Sequence, residues 1–180
     1  AEYGSAEQKK EWLPLMLEGK RGFAFGITEP AHGSDATHME TNAVRDGDGW
    51  KINGAKTWNT GIHKAQYDMV MARTSGKAGD GDGITAFLTP LDAEGAKIEE
   101  FLWTFNMPTD HGTVSFKDVY VDNSAIFGEE GHGLQIVQHF FNENRIRQAA
   151  SSLGAGQYCI NESIRYAGER KPFGKALSTN

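Results

Sequence analysis

One cysteine in 180 residues, no long apolar run and a shortage of basic residues set the first limits on this chain. Cys159 alone cannot form an internal disulfide, so burial and hydrogen bonding have to hold the fold, and a reducing compartment is favoured. A membrane-spanning helix needs ~20 consecutive apolar residues, and no stretch approaches that length. Lysine and arginine total 18 against 24 acidic residues, a net charge of −6, which argues against nucleic acid as a partner. The basic residues that exist do cluster at Arg165, Arg170, Lys171 and Lys175, enough for one small anionic ligand. No secretory leader is visible in a sequence that does not open on Met.

What is present fits a globular chain, with 38% hydrophobic and 23% charged residues. The patterning changes twice. Residues 1–20 read as a helix, with Ser5 and Gln8 spaced for a capping box, Trp12, Leu13 and Met16 on one face, and Gly19 as its stop. That face has no helix partner earlier in the sequence, so missing N-terminal sequence or a partner is expected to cover it. Residues 22–122 read as β structure. Glu40–Arg45 and Trp50–Asn53 flank the turn Asp46-Gly-Asp-Gly49, and Ala55–Thr60, Tyr67–Arg73, Ile84–Thr89 and Thr113–Val121 are further strands. The apolar phase slips between Phe116 and Val119, which predicts a bulge. From 124 onward the spacing is helical, with Leu134, Val137 and Phe141 on one face. Ala149, Leu153, Gly156, Ile160, Ile164 and Ala167 then recur every three or four residues until Pro172. Gly154 and Gly156 lower helix propensity there, so close helix packing is expected to compensate. The fold class is α+β: a small central β-barrel or sandwich flanked by helices, with divisions at 1–21, 22–123 and 124–180.

Three segments concentrate chemistry. In Phe25-Gly-Ile-Thr-Glu-Pro-Ala-His-Gly-Ser-Asp35, Thr28 and Ser34 carry hydroxyls, and Gly33 lets backbone N–H groups approach an anion or a ring oxygen. Taken alone, the segment is better read as a strand-to-turn corner, and a loop over a flavin is the functional alternative. In Trp58-Asn59-Thr60 an indole and a hydroxyl could meet a planar ring, or the Trp could be core. Arg170 and Phe173 could pair with a pyrophosphate and pack on a base, or could form a solvated helix end. Asp80-Gly-Asp82 lacks the later acidic ligands of a calcium loop, and the six histidines show no metal-ligand spacing, so no metal site is assigned.

In this order and at these separations, the segments resemble the acyl-CoA dehydrogenase family of flavoenzymes. Tyr3 to Pro14 looks like the last helix of that family's N-terminal helical domain. Ile27-Thr-Glu-Pro-Ala-His-Gly-Ser-Asp35 is similar to its flavin loop, Trp50 to Thr60 to the next flavin-contacting strands, and Asn144 to Lys175 to the first helices of its C-terminal domain. The resemblance implies that Phe25, Ile27, Thr28, Gly33 and Ser34 line FAD, with Ser34 also near the CoA moiety. It implies that Trp58 packs on the isoalloxazine while Asn59 and Thr60 reach its edge. Arg170 and Phe173 would contact the FAD of a neighbouring subunit, implying a homodimer or homotetramer, and Asn142 and Arg145 would lie near the acyl-CoA.

In the family a glutamate takes the α-proton of an acyl-CoA thioester, the β-hydride passes to flavin N5, and an electron-transfer flavoprotein collects the electrons. The implied setting is the bacterial cytoplasm or the mitochondrial matrix. Two departures stand out. No catalytic base is named, because the usual glutamate belongs to a C-terminal helix not found here. Where some relatives place one before the arginine matching Arg145, this chain has Asn144, and Glu143 is about 100° around the helix. Phe105-Asn-Met-Pro-Thr109 also replaces a G-x-R-x-S type segment. The chain is therefore read as an incomplete dehydrogenase, with a flavin oxidase or monooxygenase on the same scaffold, or a non-catalytic flavin- or CoA-binding module, as alternatives.

Overall fold

Ser5 and Gln8 open the first helix as their spacing predicts. Gln8 N donates to Ser5 Oγ at 3.1 Å and Ser5 N donates to Gln8 Oε1 at 3.0 Å, which satisfies two backbone donors that a helix start leaves free. The helix, α1, runs Ala6–Leu17 and ends just before Gly19, whose φ of +69° suits a residue without Cβ. The computed structural model describes residues 2–105 and 107–179, apart from the side chains of 107–109. Within them the chain forms two compact units, Ala1–Ile136 and Val137–Asn180.

The first unit is built on a curled mixed sheet, a half-barrel of seven strands among the described residues. They are β1 (Phe23–Gly26), β2 (Asn42–Asp46), β3 (Gly49–Thr60), β4 (Tyr67–Arg73), β5 (Ile84–Pro90), β6 (Ala96–Thr104) and β7 (Met107–Asp122). One edge of β4 pairs with β1 and then, at Arg73, with β2, both in parallel, while β5 runs antiparallel along its other edge. From β2 the sheet continues antiparallel through β3 and β7 to β6. The inner face buries Trp50, Ile52, Val70, Phe87, Val114 and Val119, with the Trp50 and Phe87 rings 5.6 Å apart edge to face. The helix α1 does not wait for a distant partner. Trp12 is buried against Tyr67 at 4.6 Å and Phe23 at 6.3 Å, and Gln8 Nε2 donates to the carbonyls of Ser124 and Ile126 at 2.8 Å each. Leu13 is half-buried, and Met16 and Leu17 at the far end stay exposed.

The hairpin at Asp46–Gly49 forms, with Gly47 at φ +59°. The slip expected between Phe116 and Val119 is also present. Register passes from Ile52 opposite Val119 to Gly54 opposite Phe116, with Asp118 at φ +50° in the extra position. Strand β6 is missing from the sequence reading because Lys97, Glu99 and Glu100 break its alternation, and a second register shift falls between Ile98 and Glu100.

The second unit consists of most of α2, which spans Gly133–Glu169, and the segment after it. Ile136 and Val137 in its first turns are buried. The later stripe is helical as its period predicts, but Leu153, Ile160 and Ile164 are exposed. The packing expected to compensate Gly154 and Gly156 is not found among the described residues, since an added Cβ at either would meet nothing within 4 Å.

Two glycines in β structure should respond differently to alanine. A Cβ on Gly54 (φ +144°) would lie 2.6 Å from Thr41 Cα, whereas Gly47 (φ +59°) has open space around it. Gly54→Ala should therefore cost roughly 2–4 kcal/mol through strain and overlap combined, and Gly47→Ala only ~1 kcal/mol through its left-handed backbone. Urea unfolding of the two variants checks this, and equal midpoints would refute it.

Candidate functional site

The segment Lys56–Asn59 carries the departure from regular structure that matters most. Lys56 pairs opposite Val114, yet Asn59 pairs opposite Gly112, so β3 holds one more residue than β7 across this interval. In an unbroken strand, 56, 58 and 60 would share a face. The bulge instead turns both Lys56 and Asn59 into the interior, where each is fully buried, and sends Trp58 outward at φ +62°, half exposed. The Trp58 indole meets the His111 ring edge-on at 6.2 Å, and Thr60 Oγ1 shares a 3.0 Å hydrogen bond with His111 Nδ1. His111 was not singled out by the sequence, because its relation to Trp58 depends on pairing across 51 residues.

A buried ion pair fixes the neighbouring loop. Lys56 Nζ donates to Glu29 Oε1 at 2.7 Å and to the Ile27 carbonyl at 3.3 Å. Glu29 also accepts from Glu40 N at 2.6 Å (Oε2) and Thr41 N at 2.9 Å (Oε1). Burial alone would raise the Glu29 carboxyl, but the ammonium and the N–H donors outweigh it and hold the group below the usual carboxylate range. Burial pulls the Lys56 ammonium down, with Glu29 offsetting part of that. Thr57 N donates to the Thr28 carbonyl at 2.8 Å, which sets the Thr28 loop beside the bulge. Glu29 and His32 exchange two backbone hydrogen bonds that close the turn, and Asp35 caps the short 3-10 turn Ala36–His38. Arg73 then ties that turn to the loop between β4 and β5, donating to the carbonyls of Thr37 (2.6 Å) and Asp80 (3.1 Å).

The expected site residues thus separate into groups. Phe25 lies on the half-buried face of β1 opposite the buried Ala24 and Gly26. Thr28 is half-buried, and Gly33 and Ser34 stand exposed at the loop tip. With Trp58 and Thr60 they form a surface of hydroxyls, a bare backbone and an indole, which suits a planar ring with a phosphate tail. Ile27 is buried and holds the loop through its carbonyl. Asn59 corrects an expectation: its amide is fully buried and donates to Asp68 Oδ2, so the side chain cannot reach a ring on the surface. Arg170, Phe173, Asn142 and Arg145 belong to the second unit. Arg145 donates to Asn142 Oδ1 at 3.2 Å, Arg170 donates to Tyr166 Oη at 3.3 Å, and Phe173 is fully exposed at φ +57°. Glu143 lies 3.5 Å from His139 Nε2 on the same helix. In the substituted segment Phe105–Thr109, residue 106 and the side chains of 107–109 lie outside the described residues.

Comparison with known proteins finds relatives along almost the whole chain. A profile of the acyl-CoA dehydrogenase middle domain matches residues 24–119, more than half of the chain, and a profile of the acyl-CoA dehydrogenase C-terminal domain matches 131–180. The short-chain specific acyl-CoA dehydrogenase of Mus musculus mitochondria is 32% identical over 98% of this chain and 43% of its own length. A glutaryl-CoA dehydrogenase from Desulfococcus multivorans is 35% identical over 97% of this chain and 45% of its own. The solved glutaryl-CoA dehydrogenase of Mycobacterium smegmatis, in complex with FADH2, superposes with a TM-score of 0.84 at 34% identity, over 99% of this chain and 45% of that one. The chain spans less than half the length of the relatives it matches.

Removing one member of the buried ion pair should be far worse than removing both. Lys56→Met strands a buried carboxylate and should cost about 3–5 kcal/mol, while adding Glu29→Gln to it should recover part of that loss. Denaturant melts of the two single variants and the double variant form the cycle. Strict additivity would show that the pair does not act as a unit.

Proposed function

Because the chain belongs to the acyl-CoA dehydrogenase family, we propose that it carries the FAD-binding face of a protein that dehydrogenates an acyl-CoA thioester between Cα and Cβ. The observation that supports this most directly is the β3 bulge, which holds a large indole at the surface against the ordinary preference of strand and side chain. Trp58 would lie against the isoalloxazine, Thr28 and Thr60 would hydrogen-bond its polar edge, and Phe25 would pack beside it. Gly33 and Ser34 would offer backbone and hydroxyl donors to phosphate, with Ser34 shared between cofactor and substrate. Ile27 supports the loop from beneath. Asn59 would serve through its backbone and its buried amide. Bound FAD supplies a two-electron acceptor for the β-hydride. The chain's own part is to bind and orient that acceptor and to keep water from one side of it. Removal of the α-proton falls to a base that is not identified among these residues.

The wider assignments follow from the same reading. Arg170 and Phe173 would reach FAD in a neighbouring subunit of a homodimer or homotetramer, and Asn142 and Arg145 would meet the acyl-CoA. An electron-transfer flavoprotein would reoxidise the flavin, in the bacterial cytoplasm or the mitochondrial matrix. Residues 1–21 and 124–180 would be the parts of two helical domains that flank the β domain at 22–123. The activity would be that of a protein of the relatives' length, of which these 180 residues match less than half. Among the described residues no helix is long and apolar enough to cross a membrane.

Trp58→Ala tests the site without disturbing the core. The indole is half exposed, and alanine meets the same left-handed strain, so folding should change little. FAD affinity should fall about tenfold or more, on the scale of ~1.4 kcal/mol for a lost ring stack. Flavin fluorescence reads the affinity and circular dichroism the fold. In the full-length protein, anaerobic addition of acyl-CoAs should bleach the flavin absorbance. Parallel loss of fold and flavin in the variant would refute the site, and failure of any acyl-CoA to bleach a bound flavin would refute the reaction.

A further inference from the structure

Asp68 is a fully buried carboxyl that nothing in the proposed dehydrogenation uses. It sits on the inward face of β4, and among the described residues no lysine or arginine is bonded to it. Its partner is the amide of Asn59, the residue that closes the Trp58 bulge on the C-terminal side. A Cβ added at Gly26 of β1 would come within 2.8 Å of Asp68 Oδ2 and 3.1 Å of Asn59 Nδ2, so β1 has to present a glycine for the pair to form. The bulge is thus pinned from inside at both ends. Lys56 is tied to Glu29 before it, Asn59 is tied to Asp68 after it, and only Thr57 and Trp58 lie between. On the flavin reading above, we propose that Asp68 is a positioning residue of the FAD face, setting through Asn59 the bulge that presents Trp58 and Thr60.

The surroundings make this pin sensitive to protonation. Lys56 on β3 is the charged group that acts on Asp68, and its hydrogen bond goes to Glu29. Opposite Asp68 on β5 stands Thr89, buried and uncharged, and β1 offers Ala24 and Gly26, neither of which titrates. Burial therefore prevails over Lys56 and the Asn59 hydrogen bond, and the carboxyl is pushed up from 3.8 to about 7. An ionised carboxylate only accepts, whereas the protonated acid carries one donor. Asn59 Oδ1 is a buried acceptor without a partner, and Asp68 Oδ1 is the matching oxygen on the acid. Protonated, the acid can close a two-bond ring with the amide. Ionised, it keeps the bond from the Asn59 amide to Oδ2 but leaves Asn59 Oδ1 and Asp68 Oδ1 without a donor. The folded value lies above the unfolded one, so the folded state binds the extra proton. Stability contributed by Asp68 is full below about pH 4, falls as pH rises toward 7, and is gone above it.

The test is made on full-length protein between pH 5.5 and 8.5. One pH unit above the titration point only about a tenth of Asp68 is protonated, so apparent FAD affinity of the wild type should fall roughly tenfold there. Asp68→Asn keeps a donor at every pH and should hold the wild type's acid-side affinity throughout. Asp68→Leu removes the acceptor and should bind FAD weakly at every pH. A second readout needs no cofactor: the Trp58 indole N–H resonance, assigned by its loss in Trp58→Phe and read in a His111→Gln background because the His111 ring meets the indole, should titrate near pH 7 in the apoprotein and stay fixed once Asp68→Asn is added. A wild-type FAD affinity and an indole resonance that are both flat with pH, or an Asp68→Asn variant that titrates like its parent, overturn the proposal even if Asp68→Leu fails to fold. If Trp58→Ala itself leaves FAD affinity unchanged, the flavin reading is what fails, and the indole titration still reports whether Asp68 sets the bulge.

Discussion

A single ammonium holds this site together. Lys56 is completely enclosed, and its 2.7 Å bond to Glu29 ties strand β3 to the loop that follows β1. Without that bond, the Thr28 loop and the Trp58 bulge would be two unrelated surface features. With it, Glu29 also gathers the N–H groups of Glu40 and Thr41, so the loop, the start of β2 and the middle of β3 share one buried carboxylate. Burying an ion pair contributes little net stability, because desolvation cancels most of the attraction. What the pair provides here is registry: only one arrangement of loop and strand satisfies all four groups.

The same lysine explains why two buried carboxyls behave oppositely. Glu29 and Asp68 both feel its charge. Glu29 has the direct hydrogen bond and two backbone donors besides, and it ends below the ordinary carboxylate range. Asp68 has through-space attraction and one neutral amide, which is too little against complete burial, and it ends near neutrality. Among the described residues, one fully buried cation serves two buried acids. The acid that orders the loop stays charged, and the acid that closes the bulge stands at the edge of protonation.

The sequence carried the outline of the fold more clearly than its site. Capping at Ser5, the hairpin at Gly47 and the slip before Val119 are local devices, each encoded within a few residues, and all three are present. The loop from Thr28 to Asp35 could be picked out because its turn formers and hydroxyls are contiguous. The rest depends on parity. Reading Trp58-Asn59-Thr60 as one ring-facing triplet ignored that a strand alternates and that a bulge resets the alternation, so Asn59 was assigned to the surface and belongs to the core. Asp68, Lys56 and His111 carry no mark in a linear reading. Asp68 sits among apolar residues of β4 like any interruption, and its partner is nine positions away on another strand. The Leu153–Ile164 stripe shows the converse: its period was legible, while what covers it is not a property of the helix.

The strain at Trp58 gives these observations their direction. A left-handed backbone at a bulky residue costs on the order of 1–3 kcal/mol and persists only where the surroundings dictate it. Two buried hydrogen-bonded pairs, one on each side, do so here. A fold under no demand at this position would lower its energy by regularising β3, which would turn the indole inward and leave both pairs unnecessary. Instead the interior carries an enclosed lysine and two buried acids, and the product of that arrangement is an aromatic face turned outward beside a loop of hydroxyls and bare backbone. On the flavin reading proposed above, energy stored in the core and expressed at the surface would serve binding, because a docking ring would meet a shelf already in its final geometry.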